Sequence, residues 1–397
     1  MIPLKWGVIP LVVALVVRIG AAITIGGGFH FADEAIYVDT ARRLSGGAGF
    51  GAEYSGVPAY PVFLALLSLG FPVGIVWLRL VQAAVGALGS LFIFALADRM
   101  FGRRTAVLAG LVYALDPLLV ITSGLLYPET IAAVLLPPIL LMALDASERD
   151  ALARSALAGA LLAVLALLRP VALVLPPVVA AWIAVILAGR PGRRVAHVGA
   201  LGLAFMLVLA PWVTRNFVVH GAIVPVATQG TQTAPVGRTE VAQRGLLVSV
   251  GQWAWNHPDA FVSRLTRQFV QFWELAPTRM TTDDPVRREE LHRIDPRLEV
   301  RPLFSRRLRD WVSAGSFSLE LFLALVGMIV VARTHWRRSL LPVAIIVAYA
   351  AGYALFAAKL RYRIPVLPLL FLFTGAGAAA AYSLMRPAGG RPSSPNL

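Results

Sequence analysis

The stretch Phe29-His30-Phe31-Ala32-Asp33-Glu34-Ala35-Ile36-Tyr37 sets two adjacent carboxylates among apolar neighbours. Adjacent carboxylates repel when both are charged, and a carboxylate in apolar surroundings is suited to taking a proton from a hydroxyl group. The same pair also fits an ordinary helix start, with Asp33 capping a helix over Glu34–Leu44. A second group lies far along the chain, in Lys359-Leu360-Arg361-Tyr362-Arg363-Ile364-Pro365. Alternation puts its three cations on one side of an extended segment. Such a row suits an anion, and phosphate above all, because arginine offers it a bidentate fork; phospholipid headgroups would satisfy the same residues. Arg79, Arg169 and Glu129, the last within Tyr127-Pro128-Glu129, complete the set. Each of these alone also fits a structural ion pair.

Other chemistry is poorly supported. There is no cysteine, which excludes disulfides, thiolate metal sites and cysteine nucleophiles. The six histidines show no metal-ligand spacing. Asp33, Glu34, Glu129 and His220 could hold a divalent metal, but nothing in their spacing requires one. Arg18, Asp116-Pro117 and Glu320 are weaker candidates: a pairing or snorkelling arginine, an internal cap and an unexplained acid.

The elements that must position these residues follow from composition. Of 397 residues, 58% are hydrophobic and only 14% charged, yet the net charge is +15. Soluble domains carry about 25% charged residues, so the chain reads as an integral membrane protein. In that setting high basicity marks a membrane surface and does not argue for nucleic acid. Ten stretches are long and apolar enough to predict spans: Trp6–Gly26, Val73–Ala97, Thr105–Gly124, Tyr127–Leu144, Ala151–Leu168, Val171–Ala188, Val195–Val213, Ser313–Ala332, Leu340–Ala358 and Ile364–Met385. The first is read as a retained helix and not as a signal peptide.

A cytoplasmic N-terminus puts Lys5, Arg99, Arg103, Arg104, Arg149, Arg154, Arg190, Arg193, Arg194, Arg333, Arg337, Arg338, Arg386 and Arg391 inside, as the positive-inside rule expects. The C-terminus is then also inside, and every candidate site residue lies toward the outer half of the membrane. Two outer connections are long. In Gly27–Pro72, the apolar part Ala59–Phe71 is too short to span and fits an interfacial or re-entrant helix. In Thr214–Val312, residues Pro258–Glu274 have a helical apolar stripe, which suits either the outer membrane surface or a small soluble lobe. Thr281–Arg309 is mixed in charge and reads as a solvated region. The Pro-, Gly- and Ser-rich tail 386–397 reads as a disordered cytoplasmic end.

These residues resemble a known group. An Asp-Glu pair just after the first span is similar to the signature of the GT-C-fold glycosyltransferases, and above all to glycosyltransferase family 39, which includes the protein O-mannosyltransferases and the lipid A aminoarabinose transferases. Further pieces fall in matching order: Arg79 in Trp77-Leu78-Arg79-Leu80-Val81-Gln82, Tyr127-Pro128-Glu129, Leu167-Leu168-Arg169-Pro170, Ala210-Pro211-Trp212-Val213-Thr214-Arg215-Asn216, Asn256-His257-Pro258 and Arg361-Tyr362-Arg363-Ile364-Pro365. The resemblance covers residues 1–385. It departs in lacking a large extra C-terminal domain, and in a long loop too short for the β-trefoil of the protein mannosyltransferases.

The resemblance implies an all-α polytopic membrane protein: a GT-C-like bundle of about ten spans over 1–385, with outward juxtamembrane helices in 27–72 and a long outer loop at 214–312. It implies inverting transfer of a hexosyl or pentosyl group from a polyprenyl-phosphate donor to a hydroxyl of a lipid, glycan or protein acceptor. The expected setting is the outer face of a bacterial inner membrane, with no cofactor required by the sequence and a divalent metal left open. Asp33 is then the general base, with Glu34 orienting it, holding Arg79 or meeting the acceptor. Arg79, Arg169, Arg215, Lys359, Arg361 and Arg363 are the cations for the donor phosphate. Tyr37, Glu129 and Tyr362 contact substrate. A transporter or flippase of an anionic lipid-linked glycan is the competing reading. It shares the need for cations, but usually shows inverted repeats and broken helices at mid-membrane. A non-enzymatic scaffold would leave the carboxylates and arginines without a role.

Overall fold

The computed structural model describes residues 4–52, 54–68, 74–187, 189–221, 223–227, 246–277, 284–300 and 302–385. Each of the ten apolar stretches is helical. α1 (Leu4–Ile25) stops where Gly26 adopts a positive φ of 78°. The first connection then folds into α2 (Ala32–Ser45) and α3 (Ala59–Leu67). α4 (Ile75–Phe101) leads to α5 (Arg103–Leu115) and α6 (Pro117–Gly124), an apolar pair bent by 51° at Asp116-Pro117.

The break has a clear cause. Proline removes an N–H and its ring clashes with the preceding turn. Asp116 Oδ1 accepts the Leu119 N–H at 2.6 Å, restarting the helix as its cap. Arg18, buried in α1, donates to the Tyr113 carbonyl at 2.7 Å and the Leu119 carbonyl at 2.6 Å. Backbone groups at membrane depth must find such partners, because no water is there to satisfy them.

The chain continues through α7 (Pro128–Arg149), α8 (Leu152–Leu168), a 3-10 turn at Pro170–Val174, α9 (Leu175–Ile186) and α10 (Pro191–His220). The long connection carries α11 (Leu246–Asn256), α12 (Pro258–Phe272) and α13 (Pro285–Ile294). α14 (Arg306–Ala332), α15 (Trp336–Leu355), a 3-10 turn at Leu360–Val366 and α16 (Leu367–Met385) close the bundle. Seven helices are individually long and apolar enough to cross a membrane, or eight with the bent pair as one span. α8 and Pro170–Ile186 are shorter apolar helices that meet at the expected Arg169-Pro170 turn. The protein is a multi-pass membrane protein.

α16 forms the centre, with Leu367–Gly377 buried throughout. Membrane helices gain little from hydrophobic burial against each other and depend on close backbone approach through small residues. At Gly327 of α14 the Phe373 carbonyl occupies the place a Cβ would take. At Gly159 of α8 the Leu201 carbonyl does the same. The end bearing most short-loop arginines is tied by ion pairs, among them Arg99–Glu148 at 2.6 Å and Arg338–Glu148 at 2.8 Å.

Three expectations need correction or limits. Asp33 does not cap α2; the cap position is Phe31, and Glu34 reaches back to its N–H instead. Thr281–Arg309 is not merely a solvated run. It contains α13, followed by a strap in which Leu298 forms a β-bridge with Phe29, because Leu298 is buried and Leu291 and Leu303 are partly buried while its charges pair locally. The expected disordered tail, 386–397, lies outside the described residues, as do Glu53 and parts of both long connections.

Gly327→Leu is expected to destabilise the bundle by about 1–3 kcal/mol through overpacking. Thermal unfolding in detergent reads this as a lowered midpoint, while Gly315→Leu, in open space on the same helix, leaves it unchanged.

Candidate active site at the cavity end of the bundle

The loop before α2 is held by a buried ion pair. Glu34 and Arg79 are both fully buried and lie 3.0 Å apart. One Glu34 oxygen accepts the N–H groups of His30 and Phe31 at 2.8 and 3.1 Å; the other accepts the Leu126 N–H at 2.9 Å. Arg79 donates to the carbonyls of Gly28 at 2.6 Å and Gly124 at 2.5 Å. Gln82 adds bonds to the Ser123 and Leu125 carbonyls. A buried pair persists only when its remaining lone pairs and protons are satisfied in this way. The result is a fixed joint between the α1–α2 loop and the α6–α7 link.

Arg79 is therefore not at hand for a ligand. Its two terminal nitrogens are spent on carbonyls and Glu34, and it is absent from the cavity described below. Glu34 likewise reaches no ligand position and holds Arg79 instead. Arg215 also departs from the expected set. It donates to the Tyr54 carbonyl at 3.0 Å and the Gly51 carbonyl, with its guanidinium 4.9 Å from the Trp212 ring centroid. It anchors the first connection to α10.

The other candidates converge into a string of alternating charge. Asp33 Oδ2 accepts Arg361 Nη2 at 2.7 Å. Arg361 Nε lies 3.6 Å from Glu129 Oε1, which in turn contacts Arg169 Nη2. Glu129 is fully buried, so it needs both arginines. Aromatic rings wall the string: Arg361 lies 4.5 Å from the Tyr127 centroid, and Arg169 lies 5.4 Å from that of Tyr362. Tyr362 is stacked on Tyr353 at 4.6 Å, and Tyr37 packs edge-on against Tyr60. Burial pushes the Tyr37 phenol up to about 12, so it remains a proton donor. Burial lowers the Arg169 guanidinium, but Glu129 more than offsets this and its charge is retained.

A cavity of about 700 Å³ opens on one end of the string. Asp33, Lys359, Arg361 and Arg363 line it, together with Asp116 at the helix break. Leu118 and Ile121 of α6 face Leu308, Val312 and Phe317 of α14 across it. Lys359 is exposed, and its ammonium makes no ion pair or hydrogen bond to the described residues. Arg363 is deeper, its guanidinium 3.6 Å from the Phe317 centroid and bonded to the Glu274 carbonyl. Arg169, Glu129, Tyr37 and Tyr362 do not line this cavity; they support residues that do. Among the described residues, no three His, Asp or Glu side chains converge as a metal site.

Arg287, Arg288 and Arg309 also line the cavity and do not stand out in the sequence. Their charged surroundings looked like a solvated run. The apolar residues interleaved with them, Leu291, Leu298 and Leu303, were the available sign of a packed surface.

A family model described as dolichyl-phosphate-mannose-protein mannosyltransferase matches residues 56–214. No curated protein sequence matches significantly. Among solved structures, ArnT from Cupriavidus metallidurans bound to undecaprenyl phosphate aligns at a TM-score of 0.60 and 17% identity, over 95% of this chain and 60% of that one. The archaeal oligosaccharyltransferase AglB from Archaeoglobus fulgidus, in complex with an inhibitory peptide and a dolichol-phosphate, aligns at 0.51 and 14% identity, over 98% and 53%. The chain thus has the fold of the GT-C membrane glycosyltransferases, and spans 60% or less of the length of these two relatives.

Arg79→Ala would leave Glu34 charged, buried and unpaired, at a cost of about 3–5 kcal/mol. Loss of monodisperse protein in detergent is the expected result. Arg79→Ala with Glu34→Gln should recover part of the stability. Full stability of the single variant would show that the pair does not hold this joint.

Proposed function

We propose that the chain is an inverting glycosyltransferase that moves a sugar from a polyprenyl-phosphate carrier to an acceptor hydroxyl. The observation that carries this reading is one cavity in which the Asp33 carboxylate stands beside Arg361 and Lys359, with apolar helix walls leading away from them. The walls suit an isoprenoid chain and the cations suit its phosphate. The fold likeness and the partial family match support the same class.

The chemistry follows from these groups. The acceptor oxygen attacks the sugar C1 from the side opposite the phosphate. Its proton passes to Asp33, and the breaking C1–O bond leaves its electron pair on the polyprenyl phosphate. An in-line displacement with one base inverts the anomeric centre. Negative charge grows on the leaving phosphate, so fixed cations help the transition state more than the ground state. Lys359 and Arg361 are our candidates for that work, with Arg363 deeper in the same cavity. Arg361 also bonds Asp33, which ties the base and the phosphate site to one side chain. Glu129 and Arg169 hold Arg361 in place from behind. Tyr37 and Tyr362 shape that support, and they contact substrate only if the sugar reaches beyond the cavity.

The setting we infer is a bacterial inner membrane with both termini inside and the cavity outside. The arginine-rich end opposite the cavity supports it through the positive-inside rule. The acceptor belongs to the lipid, glycan or protein classes.

Purified protein incubated with a labelled polyprenyl-phosphate sugar tests the proposal. Asp33→Asn should abolish transfer and retain donor binding. Lys359→Ala with Arg361→Ala should weaken donor binding by about tenfold or more, the scale of a lost charge-assisted bond. Full turnover by Asp33→Asn would remove the base assignment. Lipid movement across a liposome without release of sugar would replace the transferase by a flippase.

A further inference from the structure

The loop that carries Asp33 is gripped from two directions. Glu34 and Arg79 hold it from the bundle. The second grip comes from the long connection, through Arg297. Its Nη1 and Nη2 donate to the two carboxylate oxygens of Asp39, on α2, at 2.7 and 2.8 Å. Its guanidinium lies 5.4 Å from the Phe29 ring centroid. Its backbone carbonyl accepts the Phe29 N–H at 3.0 Å, and the Glu299 N–H donates to the Phe29 carbonyl at 2.6 Å. Asp295 braces the same guanidinium from behind through Nε and Nη2, at 2.9 and 2.8 Å.

This one residue therefore holds both sides of Asp33: Phe29 before it by backbone and ring, and Asp39 after it by a fork. The contact is close throughout. The Glu299 side chain lies against Gly28, in the place a Cβ there would take. The segment so docked is also the roof of the cavity, since Arg287, Arg288, Leu298 and Glu299 line it.

Energetics separate position from stability. The side chains of Arg297 and Asp39 are 42% and 47% exposed, and exposed pairs contribute little to folding. A bidentate pair in solvent, joined to a backbone bridge, instead fixes orientation. We infer that Arg297 is a positioning residue for Asp33: it docks residues 284–300 onto α2 and sets the approach of the base to the acceptor. This rests on the transferase reading above.

The test uses full-length protein in nanodiscs with two readouts. One is transfer from the labelled polyprenyl-phosphate sugar at saturating substrates, with donor binding measured separately. The other is hydrogen exchange of the peptide containing Phe29. Arg297→Ala should lower kcat by about tenfold or more and leave donor affinity within about twofold, as misplacement of a reacting group does. Exchange at Phe29 should rise. Asp39→Arg should behave alike, and the reversed pair, Asp39→Arg with Arg297→Asp, should recover kcat and protection together. Arg297→Lys keeps the charge without the fork and should recover less than the reversed pair. Arg293→Ala, an exposed neighbour on α13, is the control and should match wild type. Wild-type kcat in Arg297→Ala, unchanged exchange at Phe29, or no rescue by the reversed pair would each overturn the inference. If wild type transfers no sugar, the transferase reading fails, and exchange alone then judges whether Arg297 fixes the loop.

Discussion

The buried pair of Glu34 and Arg79 is the constraint on which the site depends. Two opposite charges with no solvent exposure are costly to bury, and here the cost is offset by bonds to backbone groups of the α1–α2 loop and the α6–α7 link. With α4, which carries Arg79, the pair ties three segments together. Removing either partner would leave a charge with nowhere to go, so the three segments have one arrangement available to them. Asp33, next to Glu34 in sequence, inherits its place from this joint. Two adjacent acids thus divide the labour: one is consumed by structure, and its neighbour is left half-exposed at the cavity.

The string from Asp33 to Arg169 extends the same logic away from the joint. Each arginine stands between acids or aromatic rings and Glu129 stands between two arginines, while Asp33, at the cavity end, is paired to Arg361. Such an array is stiff, because moving one member exposes the next to an apolar wall. A fixed array of charges is what electrostatic stabilisation of a leaving phosphate needs, since fixed dipoles cost no reorganisation during reaction. Lys359 differs from the rest. It is exposed at the cavity and makes no ion pair among the described residues, which leaves its charge for an incoming anion.

Much of this was legible in the sequence, for physical reasons. Apolar length predicts membrane helices well because lipid demands that every backbone bond be made within the segment. The proximity of Asp33 to Arg361 was legible for a similar reason: charges at the membrane surface have few partners, and those on one side of the bundle meet. What the sequence could not supply was the assignment of partners. Arg79 and Arg215 have the right residue type and the right end of the bundle, yet backbone carbonyls claim both. Carbonyls leave no mark in a one-dimensional pattern. Residues 284–300 failed for the opposite reason. Their charges suggested solvent, while the apolar residues between them were too few to predict a docked helix and strap. Asp116-Pro117 was read correctly as an internal cap, because proline and a capping acid act locally.

On the proposed reading the cavity takes a lipid chain ending in a phosphate: apolar residues of α6 and α14 would meet the chain, and Lys359 and Arg361, among several cations and acids that line the cavity, would meet the phosphate. The most direct measurement is an experimental structure of the protein with a bound polyprenyl phosphate. The expected result is a phosphate within hydrogen-bond distance of Lys359 and Arg361, with the isoprenoid chain running between α6 and α14. A phosphate bound elsewhere on the bundle, with Arg361 still paired to Asp33 in an empty cavity, would contradict the central claim.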